Sequence, residues 1–339
     1  MKTSDVINLK PSELATLLQS TIPARMPILI TGAPGTGKSD ILEQACKATG
    51  ADLIIEHPVV SDPTDFKGLP FAMDGHADFL PFGSLRQMIS AERLTVVLLD
   101  DLGQAPPAVQ AACMQLLLAR RINGHMVSPF VCFLGATNRR TDRAGVTGML
   151  EPVKSRFNTI VNLEPDLEDW VKWALHMNLP TELVAFIRFR PGMLHDFQPT
   201  QDLVNSPCPR TVANVGQLMT LNLPLELEYP VYSGAAGEGF AAEFMGFLKT
   251  FRDLPNPDLI MLDPDNAPVP TAPDQLYAIA GALSRRASEQ TIDRLVRYYN
   301  RMPAEFSVLA MLDSVHVCKG IANTKPFIQW TSDHTDVLI

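Results

Sequence analysis

Apolar residues are distributed in two ways along this 339-residue chain. As far as residue 163 they gather in short unbroken runs, at 27–31 (PILIT), 52–56 (DLIIE), 94–100 (LTVVLLD), 130–136 (FVCFLGA) and 158–163 (NTIVNL). Runs this short, without polar alternation, predict strands buried on both faces. One helical pattern precedes the first run. In PSELATLLQS, Leu14, Leu17 and Leu18 recur at helical spacing behind the capping candidate Ser12. Five strands with helices between them predict an α/β fold built on a doubly wound parallel sheet.

From LEPDLEDWVKWALHMN onward the strand runs stop. Helical patterns occupy 166–178, 181–190, 209–221, 238–251, 274–287 and 290–301, so the shift near residue 164 reads as a domain boundary. The Pro-rich stretch LPNPDLIMLDPDNAPVPTAPD, 254–274, predicts an ordered loop or an edge segment. No internal repeat or low-complexity tract interrupts the pattern.

The first strand run leads directly into a candidate for chemistry. Gly32, Ala33, Pro34, Gly35, Thr36, Gly37, Lys38 and Ser39 spell G-x-x-x-x-G-K-S. In such a loop the glycines let backbone N–H groups turn inward around a phosphate, the lysine reaches the β and γ phosphates, and the serine hydroxyl ligates magnesium. The context this motif requires is a strand before and a helix after, and PILIT followed by SDILEQACKA meets it. A P-loop site also needs an acidic residue at the end of a neighbouring strand. LTVVLLDD supplies Asp100, which ends the apolar run and suits the metal, and Asp101, placed to polarise an attacking water. ATP and Mg2+ are the implied cofactors.

Composition narrows the partners. With 46% hydrophobic and 19% charged residues the chain is globular rather than disordered. A formal charge of −9 gives no basic field for nucleic acid, so the local arginine clusters TNRRTDR and ARR fit nucleotide and intersubunit contacts better. Cys46, Cys113, Cys132, Cys208 and Cys318 are odd in number and never in Cys-x-x-Cys spacing, which argues against a disulfide framework or a zinc site and for a reducing cytoplasm. Seven histidines form no metal-ligand pair. The N-terminus lacks an apolar signal core, and no window approaches the roughly 20 apolar residues of a membrane span. The expectation is therefore a cytoplasmic protein without membrane insertion.

Further along, four segments carry a resemblance. LGQAPPAVQAACMQLLLARRINGH is similar to the E-I-N-x-A-P-P-x-V-Q segment of MoxR-type AAA+ ATPases, a branch of the dynein-related AAA subgroup. GATNRR resembles the sensor 1 segment, with Asn138 as its polar residue. GMLEPVKSRF resembles the segment ending in the arginine finger, with Arg156 as candidate and Arg143 as rival. SPCPRTVANVGQL resembles the sensor 2 segment of a helical lid, with Arg210 near the start of a helix. These motifs lie colinearly over residues 28–220, about two-thirds of the chain.

The resemblance implies an AAA+ core of five parallel strands flanked by helices at 1–164, an α-helical lid at 165–225, and a mainly helical extension at 226–339. It implies an ATPase acting as a ring, expected to be a hexamer, and a chaperone-like remodeller of a protein client related to von Willebrand factor A domains. Asp101, Asn138, Arg156 and Arg210 would be its catalytic residues. Two departures qualify the parallel. The family pairs Asp with Glu at the strand end, whereas this chain has Asp101, shorter by one methylene, so slow turnover without a partner is expected. In addition, 61–89 sits where MoxR-type proteins carry an insertion facing the ring's pore. There Phe71, Phe79 and Phe82 read first as local packing, with a grip on a partner as the alternative. Two other functions remain open at this stage, a nucleotide-gated scaffold with negligible turnover and a DNA-directed AAA+ motor.

Overall fold

The computed structural model describes residues 7–73, 75–142 and 148–334. The chain divides into two compact units, Met1–Asp166 with Phe197–Asp202, and Leu167–Asp196 with Leu203–Ile339.

The first unit is built on strands β1 (Ile7–Leu9), β2 (Ile28–Thr31), β3 (Asp52–Glu56), β4 (Leu69–Met73), β5 (His76–Leu80), β6 (Thr95–Leu99), β7 (Arg121–Ile122), β8 (His125–Met126), β9 (Val131–Thr137) and β10 (Thr159–Leu163). Six of them form one sheet in the order β1-β10-β2-β9-β6-β3, every pairing parallel. The sheet thus has one strand more than the five expected. Strand β1 runs ahead of the helix Pro11–Thr21, where the sequence predicted only that helix. It is an edge strand of three residues pairing with β10 alone, and too short and exposed to leave an apolar run.

Unbroken apolar runs form these strands because both faces of the sheet are covered. Successive side chains of a strand point to opposite faces. Accordingly Ile28 and Ile30 of β2, Val96 and Leu98 of β6, and Cys132 and Leu134 of β9 join Leu14, Leu18, Leu42 and Ala45 in one buried cluster. Their alternates Leu29, Val97, Leu99, Val131 and Phe133 join Leu85, Val109, Leu116 and Phe157 in another. One cluster holds the helices Pro11–Thr21 and Lys38–Thr49 against the sheet, and the other holds Gly83–Ser90 and Pro107–Ala119.

Strands β4 and β5 make an antiparallel hairpin inside the 61–89 segment, and β7 and β8 make a second. Asn123 Nδ2 donates to the Lys67 carbonyl at 2.8 Å, and the His125 ring shares a 2.7 Å hydrogen bond with the Phe79 carbonyl, so the two hairpins brace each other. Phe71 and Phe79 stand exposed rather than packed, and Phe82 is half-buried.

Among its described residues the second unit contains helices and no strand. Helices Leu167–His176, Thr181–Phe189, Pro209–Met219, Leu225–Ala236 and Glu238–Arg252 surround a core centred on Phe186, Phe240 and Phe244. Helices Pro257–Leu262, Ile292–Tyr299, Ala304–Val317 and Lys325–Asp333 surround another, containing Tyr298, Tyr299 and Trp330. Helix Pro273–Ser284 serves both, giving Ala278 to the first core and Leu276, Ile279 and Leu283 to the second. The stretch expected as a loop at 254–274 contains Pro257–Leu262, whose start is capped by Asn256 accepting from the Asp258 N–H at 2.8 Å. Among the described residues no helix is long and apolar enough to cross a membrane.

Candidate functional site

The phosphate-loop sequence lies at the carboxyl end of β2, a central strand, and opens the helix Lys38–Thr49. Its glycines have distinct local reasons. Gly35 and Gly37 hold φ of 73° and 90°, left-handed values that cost an L side chain roughly 1–2 kcal/mol. Gly32 instead permits a close approach, since a Cβ there would lie 2.8 Å from the Leu163 carbonyl oxygen of β10. Thr36 closes the loop on itself by donating to the Ala33 carbonyl at 2.9 Å.

Lys38 is buried, at 8% exposure. Its ammonium donates to the carbonyls of Gly32 and Ala33 at 3.0 Å each and to Asn138 Oδ1 at 2.9 Å. Asn138 follows β9, whose Thr137 is the register partner of Thr31 in β2. Its amide nitrogen donates in turn to Asp101 Oδ1 at 3.2 Å. Asp100 and Asp101 follow β6, the strand on the other side of β9. Ser39 donates to Asp100 Oδ2 at 2.9 Å, and the Asp101 N–H donates to Asp100 Oδ1 at 3.0 Å. Asp101 itself sits at φ 54°, a left-handed conformation that Asp and Asn tolerate better than most residues.

Three segments far apart in sequence thereby share one hydrogen-bonded set: Lys38 and Ser39, Asp100 and Asp101, and Asn138. The set suits a magnesium nucleotide. Ser39 and Asp100 bring two hard oxygen atoms together, the ligand chemistry magnesium takes when phosphates and water complete its shell. The first-turn N–H groups at Lys38 lack intrahelical acceptors by construction, which favours an anion there. Among the described residues no group of three or more His, Cys, Asp or Glu is placed to hold a metal ion.

Arg156 is outside this set. It follows the four-residue helix Glu151–Lys154 and is half-buried, with Nε enclosed and lacking a hydrogen-bond partner and Nη1 at 3.5 Å from Ser155 Oγ. Among the described residues it pairs with no carboxylate. Arg143 lies outside the described residues. Arg210 belongs to the second unit, exposed in the first turn of Pro209–Met219.

Two contributors escaped the sequence reading. Gln110, 1% exposed, donates to the carbonyls of Ala105 and Gly148 at 3.0 Å and accepts from the Leu150 N–H at 3.0 Å. It is the glutamine of the A-P-P-x-V-Q element, and it fastens the segment that leads to Arg156. Asp142, 6% exposed, holds the turn after Asn138 through the Arg139 N–H and guanidinium at 3.0–3.2 Å. The proximity of Asp142 to TNRR was the available signal, whereas nothing in the sequence marks the contacts of Gln110.

Residues 27–157 match the AAA domain of the dynein-related subfamily. That stretch is an AAA+ P-loop domain. Members of this family are typically nucleotide-hydrolysing ATPases. The match spans under half of the chain and ends before the second unit. No curated protein matches the chain. Similar solved structures include the Thermotoga maritima RuvB Holliday junction branch migration motor, with 15% identity, a TM-score of 0.43 and 80% of each chain covered. NtrX from Brucella abortus in complex with ADP has 15% identity and a TM-score of 0.42, over 96% of this chain and 67% of that one. At such identities and TM-scores, neither bears on the substrate or assembly of this AAA+ domain.

Proposed function

We propose that this protein binds and hydrolyses ATP at a site shared between neighbouring subunits of a MoxR-type ring, and that turnover remodels a protein client. The observation that supports this reading best is the continuous hydrogen-bonded set from Ser39 through Asp100 and from Lys38 through Asn138 to Asp101. In this reading Lys38 and the loop N–H groups hold the phosphates, and Ser39 and Asp100 hold magnesium. The metal supplies charge neutralisation on the phosphates. Asp101 accepts a proton from water or polarises it, while Asn138 fixes the Asp101 carboxylate and orients the water. Arg156, which pairs with no carboxylate among the described residues, serves the neighbour's nucleotide as the finger. Residues 165–225 act as the lid that carries Arg210, 226–339 form an extension to it, and the client carries a von Willebrand factor A-like domain.

A test of the shared site mixes two inactive variants. Arg156→Ala removes the finger but leaves its own carboxylate, and Asp101→Asn does the reverse. Verified mixed rings contain interfaces with both groups intact, so phosphate release should reappear although neither parent shows it. Mixed rings that stay inactive would count against a shared site.

One observation favours a second reading, a nucleotide-gated scaffold with negligible turnover. Asp101 lacks a methylene relative to glutamate and is already committed to Asn138. Phosphate release that stays at background with and without every partner tried would select it.

A further inference from the structure

The second unit contains a half-open cavity of about 570 Å³ that no part of the nucleotide reading uses. Its size lies within the range of about 300–1,000 Å³ found for small-molecule sites. The cavity forms where the start of helix Thr181–Phe189, the turn after Pro209–Met219, helix Leu225–Ala236 and the carboxyl end of Glu238–Arg252 converge. Met219, Leu248, Phe251 and Leu254 give it apolar walls.

Its polar groups are unequally satisfied. Glu228, 7% exposed, accepts from Arg252 Nη2 at 2.6 and 2.9 Å, so those two charges answer each other. Tyr232, one turn further along the same helix, is 2% exposed, and burial together with the Glu228 charge raises its pKa, keeping the phenol neutral. Glu182 has no such answer. Its Oε2 is enclosed and lacks a hydrogen-bond partner. Glu182 as a whole is half-buried and lines the cavity, where its charge is met best by a donor that carries positive charge. The lining contains two carboxylates, Glu182 and Glu228, and one guanidinium, Arg252, which leaves one negative charge in excess.

We propose that this cavity binds a primary ammonium carried on an apolar chain, the ammonium donating to Glu182 and the chain lying along the apolar walls. A monocation cancels the excess charge. Methylene groups behind it cover the aliphatic and aromatic surface, as lysine stems do elsewhere. An anion would meet the excess negative charge, and a neutral alcohol would satisfy Glu182 without balancing it. The chemistry is shared by free alkylamines and by a lysine side chain presented on a partner protein.

Calorimetric titration of the full chain with hexylamine, hexanol and hexanoate tests the proposal, together with a blocked peptide bearing one lysine between leucines. Hexylamine should bind at least tenfold more tightly than hexanol, and hexanoate should bind least. Glu182→Gln should weaken hexylamine at least tenfold and leave hexanol unchanged. Either order of hexylamine and peptide upholds the site. The tighter of the two says whether a free amine or a partner's lysine is its occupant. Equal binding of the three hexyl probes overturns the proposal, as does a Glu182→Gln protein that binds hexylamine like wild type. Failure of both amines to bind at millimolar concentration does the same. None of these readouts involves ATP, so the proposal and the nucleotide reading stand or fall separately.

Discussion

Asn138 bridges the loop lysine to the second strand-end carboxylate, and removing it should separate nucleotide binding from turnover. Asn138→Ala deletes an acceptor 2.9 Å from the Lys38 ammonium and a donor 3.2 Å from Asp101. A hydrogen bond to a charged group contributes about 1.5–3 kcal/mol. Lys38 keeps the carbonyls of Gly32 and Ala33 at 3.0 Å, and Asp101 is half-buried and open to water, so each loss belongs at the low end of that range. The expected stability loss is therefore about 3 kcal/mol or less for the two bonds together. Turnover should suffer more. Deleting one preorganised donor from an active site costs about 10²–10³-fold in kcat, and we expect the lower figure here. ATP affinity should change by less than about threefold, because Lys38, Ser39 and Asp100 are untouched. Asn138→Asp separates the two halves: it keeps an acceptor for Lys38, removes the donor to Asp101 and adds a repelling charge, so it should lose turnover at least as severely. Phosphate release at saturating ATP, titration of a fluorescent nucleotide, and urea unfolding give the three quantities. The reasoning is refuted if kcat of Asn138→Ala stays within threefold of wild type, or if weakened affinity accounts for all the loss in kcat/KM while kcat is unchanged.

Lys38→Ala should abolish tight ATP binding while the protein stays folded, and a folded variant that keeps micromolar affinity by calorimetry would contradict the phosphate role. Gly32→Ala should lower both stability and ATP affinity, because its Cβ meets strand backbone at 2.8 Å. Gly37→Ala, whose Cβ finds only Ile41 Cδ1 at 4.0 Å, should cost just the strain of its left-handed φ, about 1–2 kcal/mol by urea melts. In the second unit, Arg188 and Asp313, 10% and 6% exposed, form a buried ion pair. Asp313→Ala should destabilise by about 3–5 kcal/mol in chemical unfolding, and joint replacement by Arg188→Met with Asp313→Leu should restore much of it. Burial pushes the thiols of Cys46, Cys113 and Cys132 up to about 11, 12 and 12 from 9.0. Their neutral forms are favoured by folding, so the associated stability is present below pH 9 and declines as pH rises towards 12, which melting temperatures at pH 8 and 10.5 would register.

The strands were legible where burial on both faces compresses them into apolar runs, as in TVVLL and ILIT. Strand β1 was not, because INL at a sheet edge is mostly exposed and leaves no pattern. Helix Leu225–Ala236 was hidden by Pro230 within it. Helix Ala304–Val317 buries Asp313 and Ser314 alongside Phe306 and Met311, so apolar and polar residues share its inner side and the helical period is lost. For the site, the phosphate loop declared itself through local spacing, since its constraints are all within eight residues. The bonds of Asn138 to Lys38 and Asp101 depend on which strands are neighbours, and sheet order is a property of the whole domain.

That order also explains why the chemistry gathers where it does. The chain leaves β2 for β3 at the far edge, returns inward through β6 and β9, and only then reaches β10 on the other side of β2. The carboxyl ends of β2, β9 and β6 are consequently consecutive in space, and each carries one polar segment: the loop with Lys38 and Ser39, Asn138, and the Asp100–Asp101 pair. In open parallel sheets ligands settle at the carboxyl ends of strands where the winding direction reverses, and the reversal here is at β2. In the proposed function Asp101 is the position on which turnover depends. Its left-handed φ of 54° suits a short side chain and aims the carboxylate at Asn138, whereas a glutamate would gain reach towards water at the expense of that backbone preference. In the function proposed above, the same residue favours a well-held resting arrangement over a far-reaching base, and such a catalyst would depend on a partner or a neighbouring subunit to bring water and phosphate to it.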